Sequence, residues 1–442
     1  MEAYPVEFGH ISHTGMRRAN NQDNWAAVPA ATEAQFHTQG HVFLVADGMG
    51  GHLGGEKASE LAVQVVPLTF AKNIQQGPAI ALRMGLQEAN ANINRRGNEA
   101  IHFYNMGTTC SVLALREDEA WVGHVGDSRI YRIRARTIDQ ITFDHSFLWE
   151  TARLRKVPPE RVKDVMQNKI MRCLGPDQVV EVDIEGPHPL RPGDTFLLCS
   201  DGLSGPVGDV ELAIAAWLLT PKDACSFLAS LANLRGGPDN ITVQVVKLPG
   251  KPVQDGDQLP NGLGIFSKWM TILPWLLIPG LFLSALFVWQ VWEVLSQNKR
   301  DLDGVKIATL AGAAVLTIAG LIGLLLKLWN VNAKEESALE PTRAKIHRRE
   351  SWKLAPDYIQ ALISQAELLS NAGKDLPAMQ VAAPEIHKGL QEAKDRAASA
   401  NWSEAFRVIA RIFPRLEPVI RASLGKQIQA VPMVVPRSGP KT

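Results

Sequence analysis

Short apolar runs separated by polar turns fill the first half of the chain. Runs of strand length lie at residues 41–46, 108–115, 120–125, 130–134, 195–200 and 241–248. Two of them alternate poorly and are apolar throughout, the pattern of strands covered on both faces. Between the first two, residues 55–70 and 79–96 repeat apolar positions at helical spacing. Residues 108–134 carry neighbouring strands with no helix between them, which predicts antiparallel meanders rather than a doubly wound sheet. The pattern therefore predicts an α+β domain over residues 1–248, built from two antiparallel sheets flanked by helices.

The pattern changes after that. Residues 249–268 begin with a Pro-, Gly-, Asp- and Gln-rich stretch and read as a linker. Two uncharged apolar segments follow, 270–292 and 307–326, with Trp269, Trp289, Trp292 and Trp329 at or near their ends. About 20 apolar residues span a bilayer core as a helix, and Trp favours the interface, so residues 269–329 read as a two-helix transmembrane hairpin. Residues 330–355 are a basic juxtamembrane segment. Positive-inside logic then places the N- and C-terminal domains in the cytoplasm, on a multi-pass protein of the inner (plasma) membrane. From 356 to 427 a small all-α domain is expected: Tyr358, Leu362, Ile363, Ala366 and Leu369 form a helical stripe, and 384–400 and 403–413 supply two more helices. Residues 428–442 read as a loose tail.

Charge adds little: 46 Lys and Arg against 45 Asp and Glu give a net charge of +1. That balance leaves no basic footprint for nucleic acid, which is excluded as a partner. Four scattered cysteines, Cys110, Cys173, Cys199 and Cys225, form no CxxC pair and read as free thiols in a reducing compartment. No basic start followed by an apolar run opens the chain, so no secretory signal is expected.

Aspartates carry the candidate chemistry. Asp23, Asp47, Asp127, Asp201 and Asp239 each fall where a strand or turn ends, and all but Asp23 stand beside or near glycines. A lone Asp-Gly is usually a turn. Five carboxylates in this arrangement would repel one another unless cations neutralised them, and oxygen-only ligands favour Mg2+ or Mn2+ over zinc. Two such ions can share a water and aim it at phosphorus.

At this point the sequence resembles the metal-dependent protein phosphatases of the protein phosphatase 2C type, in their bacterial form. The matching stretches include GMRRANNQDNW (15–25), VFLVADGMGGHLGGEKAS (42–59), MGTTCSVLAL (106–115), VGHVGDSRIYRI (122–133), GDTFLLCSDGLSGPV (193–207) and GGPDNITVQVV (236–246). They cover nearly all of residues 8–248 and nothing past the linker. The resemblance implies a four-layer α/β-β/α sandwich with a binuclear Mn2+ or Mg2+ centre. By position Asp23, Asp47, Asp201 and Asp239 correspond to its carboxylate ligands and Gly48 to a carbonyl ligand. Arg18 corresponds to the arginine that binds the substrate phosphate, and Asp127 to a ligand of a third, weaker ion, a turn role being the other reading. Arg18, Asp47 and Asp201 are the residues expected to carry catalysis.

Some positions depart from the family pattern. Gln22 stands where Glu is frequent, and Met49 where many eukaryotic members carry a His proposed as proton donor, so the general acid is open between a metal-bound water and His52. Residues 146–169 fall at the family's flap beside the cleft. Trp149 with Arg153, Arg155 and Lys156 there suits acidic phosphopeptides, or else forms a solvated helix face. The function expected is hydrolysis of phosphoserine and phosphothreonine on proteins at the cytoplasmic membrane surface, by a hydroxide bridging two Mn or Mg ions. Phosphorylated proteins and a serine/threonine kinase counterpart are the implied partners. The rival readings are a phosphatase fold used only for binding, and an envelope assembly in which the hairpin and C-terminal helices are the main business.

Overall fold

The computed structural model describes residues 5–50, 54–166, 169–250 and 345–424. In chain order these hold β1 (Glu7–His13), β2 (Asp23–Val28), α1 (Glu33–Thr38), β3 (His41–Met49), α2 (Gly54–Asn73), α3 (Pro78–Glu99), β4 (Gly107–Thr108), β5 (Cys110–Arg116), β6 (Glu119–Val125), β7 (Arg129–Arg134) and β8 (Thr137–Gln140). Then come α4 (Phe147–Arg155), β9 (Asp183–Pro189), β10 (Thr195–Cys199), α5 (Asp201–Ser204), α6 (Asp209–Leu218), α7 (Pro221–Leu234) and β11 (Ile241–Lys247). The C-terminal part contributes β12 (Arg348–Ser351), α8 (Pro356–Ala372), α9 (Pro377–Ala398), α10 (Trp402–Ile412) and α11 (Glu417–Leu424).

Two antiparallel sheets face each other. One has the order β1-β11-β10-β7-β8-β12, the other β2-β3-β5-β6-β9 with β4 on β3. Alternate residues of the central strands explain why those strands are apolar throughout. Phe43, Val45, Leu113, Leu115, Phe196 and Leu198 point between the sheets. On the other face of β3 and β5, Val42, Leu44, Val112 and Ala114 pack with residues of α2 and α3, such as Ala62 and Leu86. Leu197, Cys199, Val243 and Val245 do the same for α6 and α7. The result is the expected helix–sheet–sheet–helix sandwich, with both faces of each sheet covered.

The outer face of α6 and α7 is covered in turn. Thr220 caps α7, its hydroxyl accepting from the Asp223 amide at 3.2 Å, with Pro221 opening the helix. Phe227 of this helix lies edge-on to Phe406 of α10 and to Phe413, at centroid distances of 5.3 and 5.4 Å. Tyr358, Ile359, Leu362, Ile409, Leu416 and Ile420 join the same core as Phe227, Leu228 and Leu231. The helical stripe read at 358–369 is the buried face of α8. Helix α9 begins at Pro377 and carries Pro384 inside it, where a start at 384 was expected.

Strand β12 was not expected at all. Its sequence, Arg-Arg-Glu-Ser, lacks any apolar alternation, and its arginines counted toward the basic juxtamembrane segment. It adds to the edge of β8 with Arg348 opposite Gln140. Arg349 fixes the register by donating to both oxygens of Asp139, at 2.6 and 3.1 Å, and Arg132 donates to the same carboxylate at 2.8 Å. A charged strand thus closes an edge that would otherwise be open to pairing.

The two expected spans, 270–292 and 307–326, lie outside the described residues, as do most of the linker, the basic residues up to 344 and the tail. Among the described residues no helix is long and apolar enough to cross a membrane. The four cysteines are free thiols.

Candidate active site

Adjacent strands of one sheet set the first two carboxylates side by side. Asp23 opens β2 and pairs in register with Asp47 of β3. The Asp47 backbone is tied at both ends: its amide donates to the Thr109 hydroxyl at 2.9 Å, and its carbonyl accepts from the Thr109 amide and the Thr108 hydroxyl, each at 2.9 Å. Gly48 follows at a position only glycine fits. A Cβ there would meet the Gly55 carbonyl oxygen at 2.1 Å and that of Gln22 at 2.5 Å.

The other sheet supplies the opposite side. Asp201 stands at the start of α5, directly after β10, where the Ser200 hydroxyl donates to Asp23 Oδ2 at 2.7 Å. Asp239 precedes β11, and Arg18 Nη2 donates to its Oδ2 at 2.8 Å. Asn240 knits this corner together. Its Oδ1 accepts from the Gln22 amide, and its Nδ2 donates to the Thr14 and Asn20 carbonyls at 3.0 and 2.9 Å. This pins the loop that carries Arg18. A Cβ at Gly202 would meet the Asn240 carbonyl oxygen at 1.9 Å, so the two strand ends abut directly.

Electrostatics mark the site. Burial, followed by the neighbouring carboxylates, raises Asp47 well above the usual carboxylate range. Asp23 is pushed up to about 7 by burial, with Asp201 and Asp239 adding to the effect. Asp127, in the turn between β6 and β7, rises to about 8 through burial and then Asp201 and Asp144. Asp201 is raised as well, by burial and Asp239. Asp23 Oδ1, Asp127 Oδ1 and Asp201 Oδ1 are buried without a hydrogen-bond partner. Buried acceptors left unmatched are costly and ask for a bound cation or donor. Among the described residues no three His, Cys, Asp or Glu side chains converge tightly enough to form a ligand set by themselves. A hard cation that keeps several waters and takes one or two carboxylates plus a carbonyl matches such a donor set.

Arg18, Asp127, Asp201 and Asp239 line a cleft of about 940 Å3, whose far wall is Trp149, Pro159, Glu160, Val162 and Lys163. Trp149 is buried, edge-on to Phe143 at 5.3 Å and under the Arg129 guanidinium at 5.5 Å. Arg153 pairs with Glu150 and Arg155 with Asp164, while Lys156 ends α4 in a left-handed conformation. Two of the three basic residues of this segment, Arg153 and Arg155, are therefore engaged locally, as on a solvated helix face. Met49 ends β3, and His52 lies outside the described residues.

Sequence reasoning missed several groups here. Arg129 holds Asp144 through Nε and Nη2 and donates to the Tyr131 hydroxyl, which donates to Asp209 Oδ1 at 3.0 Å. Arg348, from β12, also lines the cleft. Arg129 was visible only as part of GDSRIYRI, and Arg348 lies more than a hundred residues beyond the nearest motif.

Residues 12–234 match the model of the family described as Protein phosphatase 2C. The chain is 34% identical over 216 residues to the serine/threonine phosphatase stp of Listeria monocytogenes, covering 47% of this chain and 84% of that protein. To protein phosphatase PhpP of Streptococcus pneumoniae it is 32% identical over 250 residues, 55% of this chain and 98% of that one. The crystal structure of the Mycobacterium tuberculosis serine/threonine phosphatase PstP/Ppp is 30% identical, with a TM-score of 0.49 over 55% of this chain and 99% of that one. With the family model spanning half the chain and relatives matched over most of their length, the chain belongs to the protein phosphatase 2C family.

Proposed function

We propose that this protein serine/threonine phosphatase hydrolyses phosphoserine and phosphothreonine on proteins in the cleft between Arg18 and the α4 segment, using two divalent cations, Mn2+ or Mg2+. The observation that carries the reading is the set of strand-end aspartates drawn from both sheets, three of which, Asp23, Asp127 and Asp201, each keep one buried oxygen without a hydrogen-bond partner. Asp23, Asp47, Asp201, Asp239 and the Gly48 carbonyl would hold the two ions, and Asp127 a third, weaker one. Such ions, when bound, supply a water acidic enough to attack at neutral pH and neutralise charge on the phosphoryl oxygens.

The chain's own residues do the rest. Arg18 is half exposed at the cleft wall, and its fork of donors suits phosphate oxygens. Its pairing with Asp239 keeps that fork at the mouth of the site until a phosphate competes for it. Ser200 orients the Asp23 carboxylate, and Thr108 and Thr109 fix the backbone from which the Asp47 side chain springs. None of the described cysteines is placed as a nucleophile: burial pushes the Cys110 thiol well above its ordinary range, and Cys199 and Cys225 up to about 12.

The membrane location belongs to the same proposal. Residues before 250 and after 345 share one core, so both ends of any inserted segment must lie on the same side of a bilayer. A hairpin of two spans at 270–292 and 307–326 satisfies that, and the basic residues after it favour the cytoplasmic side. A serine/threonine kinase would supply the phosphorylated substrates.

Phosphate release from a phosphothreonine peptide by the full-length protein tests the reading. Release that stops with EDTA and returns with Mn2+ supports it. A folded protein that releases no phosphate with any divalent cation sinks it and leaves a binding module.

A further inference from the structure

Arg348 sits in the wall of the catalytic cleft although it belongs to the C-terminal part of the chain. Its guanidinium makes three ionic contacts. Nη1 lies 2.9 Å from Glu160 Oε1, Nε 3.3 Å from Asp209 Oδ2 and Nη2 2.6 Å from Glu350 Oε1. Glu160 lies in the short 3-10 turn Pro159–Arg161 that follows α4 and forms the outer wall of the cleft. Asp209 is different in kind. It is buried at the start of α6 and accepts from Tyr131, which in turn accepts from Arg129.

We infer that Arg348 is a positioning residue for substrate: it clamps the Glu160 turn to the buried Asp209–Tyr131–Arg129 chain and so sets the width of the cleft mouth. The inference rests on the phosphatase reading of the cleft and adds to it a part from outside the family-matched residues.

Three observations carry it. First, the arginine is held at its own base. Strand β12 is registered on β8, Arg349 grips Asp139, the His347 amide donates to the Gln140 carbonyl and the Trp352 amide to the Arg136 carbonyl, each at 2.9 Å. A side chain on a pinned strand holds a partner better than one on a loop. Second, the clamped turn has few other polar ties. The Arg161 and Val162 amides close only the local turn, to the Pro158 and Pro159 carbonyls, and Glu160 is half exposed. Third, the far end of the clamp reaches the cleft floor, because Arg129 binds Asp144 beside Asp127. The clamp therefore links strand β12 to the outer wall of the cleft, where a bulky protein substrate would meet it before a small ester would.

The test uses the full-length protein with Arg348→Gln, Glu160→Gln and the double variant. Trypsin cleavage after Arg161 and Lys163, followed by mass spectrometry, reads the turn directly and needs no catalytic activity. Both single variants should speed that cleavage about five-fold or more, and the double variant should add nothing further, as partners in one contact do. The KM for a phosphothreonine peptide should rise by a similar factor in both, with kcat held within about two-fold. Arg348→Lys should recover part of the effect. Unchanged cleavage in Arg348→Gln would overturn the inference. So would a KM that rises in Arg348→Gln but not in Glu160→Gln, which would make Arg348 a direct substrate contact. If the unsubstituted protein releases no phosphate, the phosphatase reading fails, while the cleavage rates still decide the clamp.

Discussion

Phe227, in the last helix before the final strand of the sandwich, meets Phe406 of the C-terminal helices edge-on, with ring centroids 5.3 Å apart. Phe413 approaches the same ring from another side at 5.4 Å. Both phenylalanines of the first pair are fully buried. The region after residue 345 is therefore part of the core on which the phosphatase sandwich rests, whatever else it does.

That relationship has a thermodynamic consequence. Phe406→Ala removes a buried ring and leaves a cavity between the two parts of the chain, at a cost of about 3–5 kcal/mol. Urea unfolding of the full-length protein should show the loss, and Phe227→Ala combined with it should cost less than the sum of the two. A change below about 1 kcal/mol would mean that the C-terminal helices only rest on the sandwich.

Acid should weaken the fold through His188. Burial lowers its pKa from 6.5 to about 4, and the arginines at 132 and 134 push in the same direction. The unfolded chain takes up this proton near 6.5, the folded chain only near 4. The unfolded state thus binds more protons between those values, and stability falls as pH falls through that window. From pH 7 to pH 5 this group costs about 2 kcal/mol. His188→Gln should flatten the pH dependence of the unfolding free energy by that amount. An identical slope in the two proteins would show that His188 is not held neutral.

The carboxylate cluster should trade stability for function. Asp201 is raised by burial and by Asp239, so its charge opposes folding when no cation offsets it. In EDTA at neutral pH, Asp201→Asn should unfold at a higher temperature than the unsubstituted chain, because the buried charge is gone. With Mn2+ present the order should reverse, because only the original carboxylate gains a cation. Thermal unfolding under both conditions checks this; the same order in both would remove the cation from the account.

The sandwich was readable because its central strands are apolar on both faces and its ligand candidates close those strands. Asp47 after Val42–Ala46 and Asp201 after Thr195–Ser200 could be placed before any coordinates. Strands β1 and β2 could not be, since exposed or half-buried polar positions such as His10, Ser12 and Asn24 break their alternation. Helices α6 and α7 were hidden for the opposite reason. They are apolar nearly all round, because sheet residues cover one side and α8, α10 and α11 the other, which erases the helical stripe. Strand β12 is specified by ion pairs with Asp139, Glu160 and Asp209, partners that charge pattern alone cannot assign. The contribution of Arg348 to the cleft was out of reach for that reason.

The most direct measurement is the rate of phosphate release from a phosphothreonine peptide against Mn2+ concentration, for the full-length chain and for Asp201→Asn and Asp239→Asn. Saturating, EDTA-sensitive turnover that falls at least about 100-fold in both variants is the predicted result. Turnover that survives chelation, or variants as fast as the original, would contradict the assignment of these aspartates as the seat of the chemistry.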